Sequence, residues 1–443
     1  MSASAVRICV VGLWHLGCIY SACLAKLGYS VTGIDEDSTV VKNLMSGRAP
    51  VFEPGLDHLI SEGIAAGNLS FVDDIEEGAK NVGYVVIAHD TPVDTEDRPD
   101  LSPVLRTADR LKAEQHPVVV VSSQVPVGTC EEISSLLSRG AVPPDLAYVP
   151  ENLRLGQAID CFMKPDMIVI GANRHSAMTK VRALFAPIQT RIIEMDLRSA
   201  EMTKHALNAF LATSISFANE IGNISDLVGA DALKVAEALK SDSRIGANAR
   251  LRPGLGFAGG TLARDLRVLQ QIGKRHGYEV LLVDSVVEVN RRQNASIVDR
   301  IERLIGELKG KSVSVFGLTY KAGTSTLRRS VALETIRRLR QEGALVKAFD
   351  PFVSKPDAAS EPFLLCEDPY EACENADILV ILGDWPDFVK LDFKRIHSLM
   401  KEPVVLDMQN LLDPERIIKQ EFKYTGIGRA TITASADETT EVG

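Results

Sequence analysis

The stretch from Val6 to Asp35, VRICVVGLWHLGCIYSACLAKLGYSVTGID, predicts the fold of the first part of the chain. Its apolar beginning, through Val11, is typical of a buried strand, and the glycine-bounded segment GLWHLG follows. A helix is predicted from about Ile19 to Leu27, and a second strand, Val31 to Ile34, ends at Asp35. A strand, glycine turn, helix and strand this close together form a βαβ unit.

Further apolar strands alternate with helical stretches after this unit, which predicts a doubly wound parallel sheet. We place them at Val82 to Ala88, Val118 to Ser122, Ala147 to Val149 and Met167 to Ile170. Helical patterns then run from 198 to 239 and from 280 to 304. Strands return at Ser312, Leu345 to Phe349, Ile378 to Leu382 and Val404 to Asp407, with a helix near Val331 to Gln341.

The predicted fold class is therefore α/β, with two Rossmann-like doubly wound domains joined by a long helical connector. We expect a dinucleotide-binding domain over residues 1–197, a helical connector over 198–304, a second Rossmann-like domain over 305–424 and a flexible tail over 425–443. The length of 443 residues agrees with two or three domains.

Composition excludes several classes of function. The formal charge of −10 argues against non-specific nucleic-acid binding, which needs a basic face. The seven cysteines form no CxxC pair, so we expect free thiols and a reducing cytoplasm. No apolar run reaches the length of a membrane span, and the histidines show no metal-ligand spacing, so neither a membrane nor a metal is expected.

The glycine turn suits a pyrophosphate. Gly12 and Gly17 bracket a strand-to-helix turn, where N–H groups and the helix dipole favour an anion. Trp14 stands at the middle glycine of the usual GxGxxG, so a βα turn without a ligand is also compatible with the local pattern. Asp35 favours a dinucleotide, because a carboxylate there binds ribose hydroxyls and repels a 2′-phosphate. The predicted cofactor is NAD.

Two later segments carry candidate chemistry. Glu201, Lys204 and Asn208 share one predicted helix face, which is either a solvated stripe or a partly buried site among small and apolar neighbours. The segment RPGLGFAGGTLARD, from Arg252 to Asp265, contains four glycines around one phenylalanine. That density permits a close approach of backbone to a ligand, although a surface turn has the same composition.

These segments together resemble the UDP-glucose/GDP-mannose dehydrogenase family from about Val6 to about Asp413. The matching motifs occur in order: VxGLWHLG, FEPGL, DLS, SQVPVGT, PENLR, KHALNAFLATSISFANE, DSRIG, PGLGFAGG, VNRRQ, FGLTYKAGT and FDP. The resemblance implies a first domain that binds NAD, a last domain that binds the nucleotide of a sugar, and a long helix that builds a homodimer. It also implies oxidation of the sugar C6 alcohol to a carboxylate in two NAD-dependent steps through a cysteine-bound thioester.

The resemblance assigns residues to each role. Lys204, Asn208 and Asp265 stand where the family has its active-site lysine, asparagine and aspartate. Arg244 matches an arginine that reaches the sugar from the partner subunit. The cofactor set is Gly12, Leu13, Trp14, His15, Leu16, Gly17, Asp35, Thr91, Gln124, Arg264 and Arg328. The substrate set is Glu151, Asn152, Leu153, Arg154, Arg244, Phe257, Gly259 and Lys321.

The chain departs from the family at residues of the second oxidation. Thr261 aligns with the catalytic cysteine, Leu155 with the catalytic glutamate, and Gln124 with a threonine; Gly260 and Arg264 replace a serine and a lysine. An alcohol needs an adjacent base before it attacks, whereas a thiol ionises readily. We therefore expect a single two-electron oxidation of a nucleotide sugar to an aldehyde or ketone, with Thr261 as the fourth catalytic candidate. The alternatives are a four-electron oxidation through a hydrated aldehyde and a non-catalytic nucleotide-sugar-binding homologue.

Overall fold

The computed structural model describes residues 6–94, 98–111, 118–138, 144–258, 260–319, 323, 327 and 329–429. The chain divides into two compact units, Met1–Leu207 and Asn208–Gly443. Each unit contains a doubly wound sheet, and one long helix begins in the first unit and ends in the second. The predicted α/β fold class is confirmed.

The first unit has the strand order β3-β2-β1-β4-β5-β6-β7-β8. These strands are β1 (Arg7–Val11), β2 (Ser30–Ile34), β3 (Leu69–Val72), β4 (Tyr84–Ile87), β5 (Val118–Val121), β6 (Leu146–Tyr148), β7 (Met167–Ala172) and β8 (Arg191–Met195). The helices are α1 (His15–Lys26), α2 (Ser38–Met45), α3 (Leu56–Ala65), α4 (Ile75–Gly78), α5 (Ser102–Arg110), α6 (Thr129–Ser138), α7 (Ala158–Met163) and α8 (His175–Phe185). The strand order reverses direction between β1 and β4, and open α/β sheets bind ligands at that switch point.

Both faces of this sheet are buried, which explains why its strands read as continuous apolar runs. Along β1, Ile8 and Val10 join one core, whereas Cys9 and Val11 join the core on the opposite face. The alternation follows from the two-residue period of a strand.

The long helix α9 (Leu197–Val228) continues into the second unit, whose strand order is β11-β10-β9-β12-β13-β14. Its strands are β9 (Ser312–Phe316), β10 (Leu345–Phe349), β11 (Leu364–Leu365), β12 (Ile378–Ile381), β13 (Val404–Asp407) and β14 (Lys423–Gly426). Its further helices are α10 (Ala232–Ser241), α11 (Leu262–His276), α12 (Leu281–Ile305), α13 (Val331–Gln341), α14 (Lys355–Ala358), α15 (Pro369–Cys373), α16 (Phe393–Leu399) and α17 (Pro414–Ile418). All recorded pairings in this sheet are parallel.

The structure corrects several predicted elements. In the first sheet β7 runs antiparallel to β6, so that sheet is not parallel throughout. Helix α1 begins at His15 rather than at Ile19. The predicted helix over 198–239 breaks after Val228, because Gly229 adopts a φ of 71° and Asp231 caps α10. Four strands are absent from the predicted elements: β3, β8, β11 and β14, the last of which extends to Gly426, inside the expected tail.

The same turn occurs at the start of both sheets. In the first unit Gly12 N donates to Ile34 O at 2.9 Å, and Leu13 N donates to Asp35 Oδ2 at 2.8 Å. In the second unit Gly317 N donates to Phe349 O at 2.9 Å, and Leu318 N donates to Asp350 Oδ2 at 2.8 Å. Each unit therefore repeats one strand–glycine turn–strand design that ends in a carboxylate.

All seven cysteines are free thiols, and only Cys161 is not buried. Within the described part of the chain, no helix is both long and apolar enough to cross a membrane. The same residues contain no group of three His, Cys, Asp or Glu side chains arranged to hold a metal ion.

Candidate active site

The two turn glycines of the first unit are required by close backbone approach. Gly12 has a φ of 95°, and a Cβ there would lie 2.8 Å from the Cα of His89. A Cβ on Gly17 would lie 1.8 Å from the carbonyl oxygen of Gly12. Any side chain at Gly17 would therefore push the turn away from the first residues of α1, whose N–H groups point out of the helix end.

The residues between these glycines fill different environments. Leu13 is buried, Leu16 is half-buried, and Trp14 is about half exposed immediately before α1. Trp14 has a φ of −85°, which any residue can adopt, so the missing middle glycine does not strain the turn. His15 Nε2 lies 2.8 Å from Glu53 Oε2.

Glu53, from the FEPGL motif, is not among the predicted site residues, yet it contacts the glycine turn. The carboxylate is buried and also accepts hydrogen bonds from Gly156 N at 2.9 Å and Ala158 N at 2.8 Å. It therefore ties the glycine turn to the beginning of α7. Its partners all donate, as a buried carboxylate requires.

Asp35 and Asp350 occupy equivalent positions but are differently engaged. Asp35 lies at the carboxyl end of β2, is half-buried, and accepts Leu13 N through Oδ2 and Asp37 N through Oδ1. Oδ2 of the buried Asp350 accepts Leu318 N, Thr319 N, the Thr319 hydroxyl and Trp385 Nε1. Only Asp35 combines partial exposure with spare lone pairs, so the first turn suits ribose hydroxyls better than the second.

Other predicted cofactor residues lie at the ends of β4 and β5. Thr91 and Gln124 are buried, and the Thr91 hydroxyl donates to Gln124 O at 2.9 Å. His89, which is not among the predicted residues, has its Nε2 2.6 Å from the Thr107 hydroxyl, and its ring lies against Gly12. Burial lowers the pKa of His89, because it disfavours the charged imidazolium.

The polar stripe on α9 is buried, which overturns the solvated-stripe alternative. Glu201, Lys204 and Asn208 are each at most 4% exposed. Glu201 accepts hydrogen bonds from Gly128 N at 2.6 Å and Cys130 N at 2.8 Å, so it caps the beginning of α6. Burial raises the pKa of the Glu201 carboxyl.

Lys204 pairs with the PENLR segment. Its Nζ donates to Glu151 O at 2.5 Å and lies 3.2 Å from Glu151 Oε1. Glu151 Oε2 also accepts Leu153 N at 2.9 Å. The structure thus places a carboxylate beside the lysine, although Leu155 is apolar. Asn152 and Arg154 are exposed.

One turn further along α9, Asn208 Nδ2 donates to Asp265 Oδ2. Asp265 is fully buried in the first turn of α11, where the helix dipole favours a carboxylate. Thr261 precedes this helix, is exposed, and makes no side-chain capping bond. Among the described residues, no carboxylate or imidazole hydrogen-bonds to the Thr261 hydroxyl.

Amide side chains hold the glycine-rich segment before α11. Asn219 on α9 accepts Gly254 N at 2.8 Å, while Asn290 and Asn294 on α12 accept Phe257 N at 2.7 Å and Gly256 N at 3.0 Å. Gln293 donates to Gly254 O at 2.6 Å. We call residues 253–257 the amide-held loop. Its four side-chain partners were absent from the predicted site, because they lie on helices distant in sequence.

The amide-held loop lines a cavity of about 300 Å³ in the second unit. The cavity also touches the residues that follow three strands: Thr319 after β9, Gly383 and Asp384 after β12, and Gln409 after β13. It thus lies at the carboxyl ends of the second sheet, where β9 and β12 form the switch point. Gly317 and Gly383 approach so closely that a Cβ on Gly317 would lie 2.3 Å from Gly383 Cα.

The remaining predicted residues are dispersed or outside the described ranges. The Arg244 side chain is 87% exposed and pairs with Asp242, with Nη2 2.6 Å from Oδ2. Arg264 is half-buried on α11. Gly259, Lys321 and Arg328 lie outside the described residues.

Comparison with known proteins covers nearly the whole chain. Residues 6–189 match the NAD binding domain, 198–292 the central domain, and 314–414 the UDP binding domain of the UDP-glucose/GDP-mannose dehydrogenase family. The chain belongs to this family.

Individual relatives agree with that assignment. UDP-glucose 6-dehydrogenase TuaD of Bacillus subtilis is 36% identical over 434 residues, covering 96% of this chain and 94% of the relative. UDP-glucose 6-dehydrogenase of Pseudomonas aeruginosa is 34% identical over 443 residues, covering 96% and 98%. Among solved structures, a UDP-glucose dehydrogenase from Pyrobaculum islandicum superposes with a TM-score of 0.88 at 30% identity, covering 97% of this chain and 99% of that chain.

The protein is thus an NAD-dependent nucleotide-sugar dehydrogenase that acts on a CH–OH group. The residues of its first turn fit NAD, because the Gly12–Gly17 approach leaves the amino end of α1 open to a pyrophosphate and the half-buried Asp35 carboxylate can accept hydrogen bonds from ribose hydroxyls. NAD, when bound, accepts the hydride.

This dehydrogenase should prefer NAD to NADP by roughly 10²-fold in kcat/KM, because Asp35 repels a 2′-phosphate and binds a 2′-hydroxyl. Steady-state kinetics with both cofactors measure the preference. Asp35→Asn should reduce the preference for NAD over NADP. The matched control is Asp37→Asn, two residues away, which preserves the cap of α2 and should leave the preference unchanged. Equal or better kinetics of the unaltered protein with NADP would exclude Asp35 from the ribose site.

Proposed function

We propose that this dehydrogenase oxidises the C6 alcohol of a UDP-hexose, with UDP-glucose as the first candidate, and stops after one two-electron step. The observation that carries the proposal is Thr261, whose exposed hydroxyl has no basic partner in the described structure. The product would be an aldehyde, or a ketone if another carbon of the sugar is presented.

The names of the relatives support the nucleotide and the sugar, since TuaD and the Pseudomonas aeruginosa protein are UDP-glucose 6-dehydrogenases. The cavity of the second unit supports a nucleotide, because it combines the carboxyl ends of β9, β12 and β13 with the amino end of α13. Glu151, Asn152, Leu153, Arg154, Phe257, Gly259 and Lys321 remain our candidates for contacts with the substrate.

The first oxidation removes a hydride from carbon and a proton from its hydroxyl, so the site must stabilise a developing alkoxide. In our proposal the Lys204 ammonium donates to that oxygen, and the adjacent Glu151 carboxylate accepts the released proton. Asn208 is oriented by its hydrogen bond to Asp265, which leaves the rest of its amide for the substrate.

The second oxidation requires capture of the aldehyde by a nucleophile. A threonine hydroxyl is a weak nucleophile unless a neighbouring base removes its proton. Within the described ranges no base hydrogen-bonds to the Thr261 hydroxyl, and Leu155 offers no carboxylate to assist hydrolysis. We therefore expect the aldehyde to leave, or to accumulate, after one hydride transfer.

One observation favours the four-electron alternative. Glu151 places a carboxylate 3.2 Å from Lys204 Nζ, which could activate water to hydrate the aldehyde without covalent capture. The hydrate would then deliver the second hydride, giving a uronic acid.

The amount of NADH formed per sugar separates these outcomes. The unaltered protein should form one NADH for each UDP-glucose consumed. Hydroxylamine, added after the NADH is counted, should trap the product as an aldehyde. Thr261→Cys should add a slow second oxidation, because a thiol captures the aldehyde, and adding Leu155→Glu should speed release of the acid. Thr261→Ser, which keeps a hydroxyl of similar acidity, is the matched control and should still give one NADH.

Two NADH and a uronic acid from the unaltered protein would refute the single-step proposal and favour the hydrated aldehyde. Calorimetric titration with UDP-glucose should accompany the assay, so that failure to bind is distinguished from failure to turn over.

We also propose a homodimer in which Arg244 completes the partner's site. Support comes from α9, which exposes Phe210, Phe217, Ile224 and Val228 at helical spacing on one side, an apolar stripe typical of a helix–helix interface. The Arg244 side chain is exposed, so its guanidinium can reach a ligand bound to the partner subunit.

Arg244→Ala should raise the KM for the nucleotide sugar about 10- to 100-fold and leave the unfolding temperature unchanged, because a charge-assisted contact is lost while the exposed pair with Asp242 adds little stability. Mixed dimers test the arrangement. Arg244→Ala chains combined with Lys204→Met chains should recover activity at low substrate, since one site per dimer would then be intact. No recovery in demonstrated mixed dimers would place Arg244 in its own subunit's site.

A further inference from the structure

A basic cavity of about 670 Å³ in the second unit lies outside the site described above. It is bounded by α9, by one face of α12 and by β14. Its charged lining is five cations and one carboxylate: Arg292, Arg300, Arg303, Lys423, Arg429 and Asp226. In a chain with a formal charge of −10, this is a local concentration of positive charge.

Two of these cations have no acidic partner. Arg303 donates through Nε to Asp299 O at 3.2 Å, and neither Arg303 nor Lys423 is paired with a carboxylate anywhere in the described structure. By contrast, Arg292 pairs with Glu288, and Arg429 lies 3.5 Å from Asp231. Arg303 and Lys423 both line the cavity, so their charges favour an anion that binds to the two side chains together.

Arg300 lies deeper in the same wall, with a side chain only 13% exposed. Its Nη1 donates to Asp226 Oδ2 at 2.8 Å and its Nη2 to Asn223 Oδ1 at 2.7 Å. Its Nε–H is buried and finds no acceptor among the described residues. A buried donor without an acceptor is unfavourable, and an anion oxygen would satisfy it.

A chain of hydrogen bonds connects Arg300 with the amide-held loop. Asn223 Nδ2 donates to Gln293 Oε1 at 2.9 Å, and Gln293 Nε2 donates to Gly254 O at 2.6 Å. Every amide in the chain both accepts and donates, so a change at Arg300 alters the next bond in turn. Gly254 belongs to the amide-held loop, which lines the cavity of about 300 Å³ described above.

We propose that this cavity binds a small phosphorylated anion and that its occupancy is transmitted through Arg300, Asn223 and Gln293 to the amide-held loop. Guanidinium forks match phosphate oxygens, and the volume suits a small ligand rather than a macromolecule. Leu227 and Leu304 supply an apolar wall for a sugar or base attached to the phosphate. The kinetic consequence rests on the proposed oxidation of UDP-glucose, but binding does not.

Calorimetric titration of the full chain with inorganic pyrophosphate tests the site. The double variant Arg303→Gln/Lys423→Gln should weaken the affinity about 10- to 100-fold. The matched control, Arg291→Gln/Lys419→Gln, removes the same charge from α12 and from the end of α17 outside the cavity, and should leave the affinity unchanged. Equal affinities in all three proteins, or no binding to the unaltered protein, would overturn the proposed site.

Transmission is measured as the change that saturating pyrophosphate makes in the KM for UDP-glucose. Pyrophosphate can also compete at the nucleotide sites, and the Arg303→Gln/Lys423→Gln variant retains that competition. In the unaltered protein, pyrophosphate should change the KM for UDP-glucose by about fivefold or more beyond the change seen in that variant. Asn223→Leu should bind pyrophosphate but lose this further change. Identical KM shifts in the unaltered protein and the double variant would overturn transmission, whereas the binding result stands even if UDP-glucose is not the substrate.

Discussion

Lys204→Met should lower kcat about 10²- to 10⁴-fold while leaving the KM for NAD within a small factor of its original value. The methionine retains the length and apolar stem of lysine but removes the ammonium that we place at the developing alkoxide. It also leaves Glu151 without the cation 3.2 Å from its carboxylate. Single-turnover measurements of NADH formation report the chemical step directly.

The matched control is Lys180→Met, which removes a half-exposed ammonium that pairs with Asp145 in the same unit. Asp145 keeps its contacts with Arg174 and Ser176, so this variant should keep its activity and most of its stability. Lys204→Arg keeps the charge but not its position, and should recover only part of the loss. An activity of Lys204→Met within threefold of the original would exclude the lysine from the chemical step.

Gly17→Ala should raise the KM for NAD by about 10²-fold or more. The added Cβ would meet the carbonyl oxygen of Gly12 at 1.8 Å, so the backbone of the turn must shift. The shift moves the N–H groups that we expect to bind the pyrophosphate. Fluorescence titration with NADH measures the loss without turnover.

Gly83→Ala is the control for this change, because a Cβ there would lie 3.4 Å from Arg7 O and its backbone needs no positive φ. It should affect NADH affinity little. If Gly17→Ala unfolds the protein, circular dichroism will reveal it, and Gly12→Ala gives a second test of the same approach. Normal NADH affinity in a folded Gly17→Ala protein would contradict the role of the turn.

Much of the fold follows from local sequence. Strands β1, β5 and β9 are buried on both faces, so each appears in the sequence as a run of consecutive apolar residues. Capping and glycine signals likewise act locally, as Ser330 does at the start of α13. Short edge strands such as β11 and β14 were missed, because a strand of two to four residues has too little period to distinguish it from a loop.

Candidate site residues were predictable where a motif carried them, as with Gly12, Asp35 and Lys204. Their partners were not predictable. Asn290 and Asn294 bind the amide-held loop across 33 and 38 positions of sequence, and Glu53 reaches Ala158 across 105. A local sequence pattern does not indicate which group, remote in sequence, will form a hydrogen bond with a given carboxylate or amide.

The sequence by itself determined the βαβ unit from Val6 to Asp35, the carboxylate that ends it, and the presence of a threonine at position 261, because each depends on neighbours within one element or on identity alone. Tertiary structure decided that the α9 stripe is buried, that Glu151 lies beside Lys204, and that the buried Asp350 carboxylate accepts from five donors while the half-buried Asp35 keeps spare lone pairs. Burial and pairing depend on which elements pack together, and the side chains that compete for a lone pair arrive from strands and helices remote in the chain.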